Sequence, residues 1–286
     1  MAALPPPKAI LFDIGGVCVV SPFQAILDYE IENGIPVGYI NFAIQIGPHD
    51  SGAWQRVERG EVDLDDEWFE EFRKQLSIRE HWAEYWRKTT LKRNSGAGAA
   101  PKTSDYVPAV PNIDAKKLFW RMMRISRTPD PWMYPALKKL RASGRFVLGA
   151  LSNTVHFPTG ILDDEGVLFE RGLLHPPHPH PHADDSSNIQ DAFDIFISSA
   201  HVGVRKPDPG AYELAVRELN RVGKEKGIGG VEAGEVLFLD DIGVNLKWAK
   251  RSGLRTIKVD LGRTREAVLE LEGQTGVRLV EEKGRL

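Results

Sequence analysis

Only one of the 286 residues is a cysteine, Cys18. A lone thiol closes no intrachain disulfide, so an apolar core must hold the fold together, and the usage suits a reducing compartment. Cys18 follows a short apolar run and reads as a small packed residue rather than a nucleophile. Long apolar runs are missing too, and none approaches the roughly 20 residues that span a bilayer. The Pro-rich segment 1–8 has neither the apolar heart of a signal peptide nor the Arg- and Ser-rich pattern of a transit peptide. These absences lead to the expectation of a cytoplasmic protein without a membrane partner. An excess of one charge is the last thing lacking: 37 Lys and Arg against 40 Asp and Glu leave a formal net charge of −3. No basic field exists to attract a nucleic-acid backbone, so nucleic acid is excluded as a partner, and any phosphate must be held by a few local groups.

What is present is organised around Ala9-Ile10-Leu11-Phe12-Asp13-Ile14-Gly15-Gly16-Val17, an apolar run leading into a carboxylate and two glycines. Such a run reads as the central strand of a parallel sheet, and open α/β sheets carry their chemistry at the carboxyl ends of their strands. Asp13 stands at that position. Four further strands are expected over 145–151, 193–199, 236–239 and 255–259, alternating with helices from residue 135 onward, which indicates a doubly wound parallel α/β sheet. Helix signals include Ser21 as N-cap with Pro22 at the first position, and Asp208 with Pro209 in the same roles for a helix through Leu219.

Between the first two strands lies a run of helical patterns, expected near 21–32, 35–46, 54–59, 63–76 and 113–126. A right-handed crossover needs only a dozen or so residues and one helix, so this block reads as an inserted helical domain over 21–129, with 1–20 and 130–286 forming the α/β core. Trp54, Trp68, Trp82, Trp86 and Trp120 fall within it as expected core, one or two of them lining a substrate entrance. Residues 89–112, rich in Gly, Ala, Ser and Pro, are expected to form a mobile loop. His175 to His182 alternates His with Pro and is expected to be an extended surface insert with no fixed metal geometry. Neither 95–108 nor 175–182 offers an apolar face, so deleting either is expected to cost little stability.

Polar groups recur at the strand ends: Asp13, then Ser152-Asn153, then Lys206 in Arg205-Lys206-Pro207-Asp208, then Asp240-Asp241 with Asn245 beyond. Each alone is an ordinary turn or cap. Together, in this order, they resemble the haloacid dehalogenase-like hydrolase superfamily. Leu151-Ser152-Asn153, Arg205-Lys206-Pro207-Asp208 and Asp240-Asp241-x-x-x-Asn245 resemble the branch containing the N-terminal phosphatase domain of bifunctional epoxide hydrolases, and Phe12-Asp13-x-Gly-Gly-Val17 with the Trp54…Glu58-Arg59-Gly60-Glu61 stretch resembles the related N-terminal domain of acyl-CoA dehydrogenase fusion proteins. The resemblance implies that the helical block is a cap domain and that the chain is a phosphatase acting on a small phosphorylated metabolite. It assigns Asp13 as the nucleophile that forms an aspartyl-phosphate, with Ser152 and Lys206 as its catalytic partners. Ser152, Asn153, Gly16 and Lys206 would bind phosphate, Asn245 would hold the acidic loop or Lys206, and Mg²⁺ would sit among Asp13, the Gly15 carbonyl, Asp240 and Asp241.

Elementary chemistry agrees. A phosphomonoester carries about two negative charges, so a carboxylate attacks it only beside cations, and Mg²⁺ favours carboxylate and carbonyl oxygens. Gly15 sets the contrast: many phosphatases of the superfamily place there an aspartate that protonates the leaving oxygen. A non-catalytic or regulatory binding protein is therefore the alternative reading.

Overall fold

The computed structural model describes residues 5–95 and 106–281. Strand β1 (Ala9–Phe12) is fully buried and lies at the centre of a five-stranded sheet. It stops at Phe12, so that Asp13 stands at its carboxyl end as expected, and the chain folds back at once. The N–H groups of Cys18 and Val19 donate to the Ile14 carbonyl, and that of Gly16 donates to Val19. Gly16 has φ +78°, a conformation that a side chain disfavours.

The chain then enters the helical block: α1 (Pro22–Glu32), α2 (Tyr39–Gln45), α3 (Ala53–Glu58), α4 (Asp66–Leu76), α5 (Arg79–Ser95) and α6 (Ala115–Ile125). The Ser21 hydroxyl caps α1, as its position before Pro22 suggests. Trp68, Phe72, Phe119 and Trp120 share one apolar core, with Trp68 and Phe72 stacked at 5.2 Å. The Trp68 indole N–H donates to the Ala53 carbonyl at 2.9 Å, so this buried ring leaves no polar atom unpaired.

Helix α5 extends into the stretch expected as a loop. Residues 96–105 of that stretch lie outside the described residues. Its far end is anchored: Val107 and Val110 pack on the core of the block, and the Pro108 carbonyl accepts from the Trp82 indole at 2.9 Å. The expectation that 95–108 has no apolar face is corrected at Val107.

Beyond α7 (Met133–Ser143) come β2 (Val147–Ser152), β3 (Ile195–Ser198), α8 (Ser199–Val202), α9 (Pro209–Glu225), β4 (Val236–Asp240), α10 (Gly243–Arg251), β5 (Arg255–Lys258) and α11 (Thr264–Thr275). All five strands pair in parallel in the order β3-β2-β1-β4-β5. Ile10 and Phe12 face one core with α7 and α11, while Ala9 and Leu11 face another with α9 and α10. Burial on both faces explains why β1 reads as a continuous apolar run rather than an alternating one.

Between β2 and β3 the chain makes a long excursion over 153–188. Phe157 and Phe169 stack at 5.2 Å, and Phe169 lies 4.9 Å from Trp120, so the excursion is sewn into the block. The histidine tract at its outer end is turn-rich and partly fastened rather than freely extended. His175 and His182 lie 5.5 and 5.6 Å from the Tyr134 ring, and Asp185 accepts from Tyr134 and Lys138. The loss on deleting 175–182 is therefore larger than its composition suggests.

The helical block joins the sheet where its two connecting strands run side by side: Val19 pairs with Pro129, and the Val20 N–H donates to Thr128. It touches the α/β core again at Gly60, which has φ +69° and where an added Cβ would lie 2.2 Å from the carbonyl oxygen of Ala200 in α8. Gly60→Ala is expected to cost about 1–3 kcal/mol from backbone strain alone, read as a lower urea midpoint with unchanged m-value. An unaltered midpoint would show that this contact yields freely.

Candidate active site

Asp13 leaves β1 only 7% exposed, with its N–H bonded to the Leu239 carbonyl of β4. Its Oδ1 accepts from the Ile14 N–H at 2.7 Å, and its Oδ2 lies 2.8 Å from Lys206 Nζ. That ammonium, 1% exposed, also donates to Asp240 Oδ2 at 2.7 Å and sits over the Phe238 ring at 5.4 Å. Asp240 is saturated: besides Lys206 it accepts from the Ile242 N–H at 2.7 Å and from the Asn245 amide at 3.1 Å to each oxygen. Asn245 therefore holds the acidic loop rather than Lys206. Asp241 is half-buried beside it, and oxygens of Asp13, Asp240 and Asp241 all lie within 4.8 Å of one another. Gly16 makes that approach possible, since a Cβ there would stand 2.3 Å from Asp241 Oδ2.

Three carboxylates against one ammonium leave the site short of positive charge. Burial pushes Asp13 up to about 7, with Lys206 pulling it down and Asp240 adding to the rise. Burial, then the charges of Asp13 and Asp240, push Asp241 up to about 8. For Lys206 burial works downward, but the two carboxylates outweigh it and hold the ammonium above its usual value. A buried cluster of hard oxygen donors with unbalanced negative charge fits an oxygen-seeking divalent cation. Among the described residues this is the one such cluster, and the histidine tract forms none.

Ser152 ends β2, and its hydroxyl makes a single long contact of 3.5 Å, to the Asn153 carbonyl. The Asn153 side chain grips the lysine's backbone. Its amide donates to the Lys206 carbonyl at 2.9 Å, and its oxygen accepts from the Lys206 N–H at 2.8 Å. The Asn153 side chain therefore positions Lys206, and the second N–H of its amide is left for another acceptor. Gly16 likewise shapes the turn, its N–H already donated to Val19.

Two arrangements escaped the sequence reading. Arg205 pairs with Glu58 of α3 at 2.5 Å, which ties the helical block to the residue before Lys206. The Ser198 hydroxyl bonds both Thr154 Oγ1, at 2.5 Å, and His201 Nδ1, at 2.7 Å. Arg205 stood inside a recognised stretch, but nothing in one sequence pairs it with a glutamate 147 residues away. A cavity of about 700 Å³ opens over Gly15, Ser152 and Asn153, walled by Trp54 and Met123 of the block and Phe157 and Phe169 of the excursion. Trp54 is the tryptophan that lines it. The other expected core rings, Trp68, Trp82 and Trp120, are buried, and Trp86 is partly so.

A family model described as haloacid dehalogenase-like hydrolase matches residues 7–253. This chain is a haloacid dehalogenase-like hydrolase. It is 28% identical over 269 residues to mouse acyl-CoA dehydrogenase family member 10, covering 94% of this chain and 19% of that protein. To pig bifunctional epoxide hydrolase 2 it is 27% identical over 276 residues, covering 96% of this chain and 40% of that protein. The chain thus spans well under half of either relative. A phosphatase of Mycobacterium tuberculosis is 34% identical over 82 residues, 28% of this chain and 33% of that one. No helix among the described residues is long and apolar enough to cross a membrane.

The charge imbalance of this hydrolase has a measurable consequence. Asp241 ionises near 3.8 when unperturbed and at about 8 in the fold. The folded protein therefore keeps a proton that the unfolded chain releases, and metal-free stability falls as pH rises from about 4 towards 8. Asp241→Asn removes that contribution. In EDTA the variant is expected to melt above the wild type at about pH 8, with the gap closing towards about pH 5. A gap that does not change with pH would contradict the charge deficit.

Proposed function

We propose that this hydrolase cleaves a small phosphomonoester in a Mg²⁺-dependent reaction with Asp13 as nucleophile. The observation that carries the reading is the Lys206 ammonium bonded to both Asp13 and Asp240, with Asp241 left over at the same point. Asp13, Asp241 and the Gly15 carbonyl would hold the ion. Asp240, whose oxygens are taken by Lys206, Ile242 and Asn245, would support it from one shell further out. When bound, the ion supplies the positive charge that lets a carboxylate and a phosphoryl group approach each other.

Asp13 attacks phosphorus and the ester oxygen departs, leaving an aspartyl-phosphate that water then hydrolyses. One difficult displacement becomes two easier ones. Lys206 favours the ionised form of Asp13 against its burial and offers charge to the phosphoryl oxygens, and the Ser152 hydroxyl, weakly engaged in the fold, donates to the same oxygens. Asn153 and Asn245 hold Lys206 and Asp240 in register for both steps. The helical block, as a cap, closes the cavity and selects the organic part of the ester. The phosphatase of Mycobacterium tuberculosis named above supports the choice of phosphate ester.

Protonation of the leaving oxygen is the weak point, because Gly15 brings no acid. Among the carboxylates of the described residues, only Glu58 lines the cavity, and it is tied to Arg205. Aryl phosphates, whose leaving groups need little protonation, are expected to react about 10²-fold or more faster than alkyl phosphates. Gly15 has an ordinary negative φ, and a Cβ there would lie 3.3 Å from Pro22 Cδ. The loop can therefore accept Gly15→Asp with a small shift of Pro22, and that variant is expected to speed the alkyl esters selectively. Equal wild-type rates for the two classes would reveal another acid.

Asp13→Asn is expected to lower Mg²⁺-dependent hydrolysis of p-nitrophenyl phosphate by roughly 10³-fold or more while the protein stays folded. Full activity in that variant would end the mechanism. The empty position at Gly15 also favours a second reading, a regulatory protein that binds without turnover. Tight binding of beryllium fluoride with Mg²⁺ and no hydrolysis of any ester would decide for it.

A further inference from the structure

The cavity over Ser152 is much larger than a phosphate group requires, and its volume falls in the range of pockets that enclose a whole organic ligand. Its walls are mainly apolar, from Trp54, Met123, Phe157 and Phe169. Its charged side chains are unequally matched. Glu58 is neutralised by Arg205 at 2.5 Å. Arg127 and Arg171 also line the cavity, and among the described residues neither has an acidic partner.

Arg127 is held in place all the same. Its Nε donates to the Gly172 carbonyl at 2.7 Å, and its guanidinium lies over the Phe169 ring at 5.7 Å. A guanidinium fixed through Nε and stacked on an aromatic face keeps its two terminal nitrogens for a ligand, and little freedom remains to be lost on binding. Arg124 of α6 makes the contrast. It takes Asp163 at 2.9 Å and Asp164 at 2.7 Å from the same excursion, outside the cavity lining. The excursion thus carries carboxylates and uses them on the arginine that does not face the cavity.

We propose that Arg127 and Arg171 form a second anion subsite, so that the substrate is a phosphomonoester with an apolar middle and a second anionic group, a carboxylate being the simplest. The inference rests on the phosphatase reading for its phosphate end. Phosphate docks at the Asp13, Ser152 and Lys206 end, the apolar part crosses the aromatic wall, and the remote anion meets the two guanidiniums.

The test measures binding of unhydrolysable phosphonates to the intact protein with Mg²⁺ by titration calorimetry. The probes are 6-phosphonohexanoate against hexylphosphonate, 8-phosphonooctanoate against octylphosphonate, and 6-aminohexylphosphonate. In at least one pair the carboxylate is expected to tighten binding about tenfold, the size of one charge-assisted contact at a partly exposed site, and the ammonium to weaken it. Arg127→Gln and Arg171→Gln are each expected to shrink the carboxylate's advantage, and Arg171→Lys to keep part of it. Equal affinities within both pairs, no binding of any probe, or an advantage that survives both Gln substitutions together would overturn the subsite. Should Arg127→Gln fail to fold, the order of the probes on the wild type still decides. Hydrolysis of the corresponding phosphate esters separates the two readings. A carboxylate advantage in binding without turnover of any ester would remove the phosphatase reading alone, and turnover without the advantage would remove the subsite alone.

Discussion

The Lys206 ammonium, withdrawn from water and shared between Asp13 and Asp240, is the interaction on which the rest of the structure depends. A charge buried this deeply is tolerated only with partners in good geometry, and removing one partner from such a group typically costs about 3–5 kcal/mol. Each neighbouring feature maintains that geometry. Asn153 grips the backbone of Lys206 from both sides, Asn245 and the Ile242 N–H complete Asp240, and Phe238 lies beneath the ammonium. Because the lysine answers one carboxylate of three, the cluster keeps an excess of oxygen donors that fits a divalent cation.

Much of this could be read from residues alone. The three inner strands were visible as apolar runs between turns, because a sheet covered on both faces demands them, and the edge strands β3 and β5 from their place in the alternation with helices. Asp13, Ser152, Lys206 and the Asp240-Asp241 pair were visible because parallel strands deliver their last residues to one edge. The caps at Ser21 and Asp208 were visible because their signal is confined to two adjacent residues. What stayed hidden depends on distance. That the Asn153 side chain faces Lys206, that Asp240 rather than Asp241 takes the lysine, and that Glu58 answers Arg205 are facts of three-dimensional neighbourhood. Helix α5 was missed for another reason: Trp82, Tyr85 and Trp86 make only a short apolar stripe in a largely polar helix, and composition beyond it suggested a loop.

The β2–β3 excursion shows how composition misleads. Its histidine and proline content suggests a detached insert, yet aromatic residues before the tract join it to Trp120 and the histidines at either end rest on Tyr134. A few anchoring rings outweigh many indifferent positions. The cavity is in consequence walled by two separate departures from the sheet, one after β1 and one after β2, and neither alone encloses it.

The side-by-side crossing of Val19 and Pro129 has a consequence for descent. Since the chain leaves and re-enters the sheet at hydrogen-bonded neighbours, closing that gap with a segment of any length costs a loop entropy that grows only slowly with size. The material between those two residues can therefore be exchanged, lengthened or rebuilt in a lineage while the strand order and the buried lysine stay as they are. Diversity in what the cavity admits is cheap at this junction, and diversity in the chemistry beneath it is not.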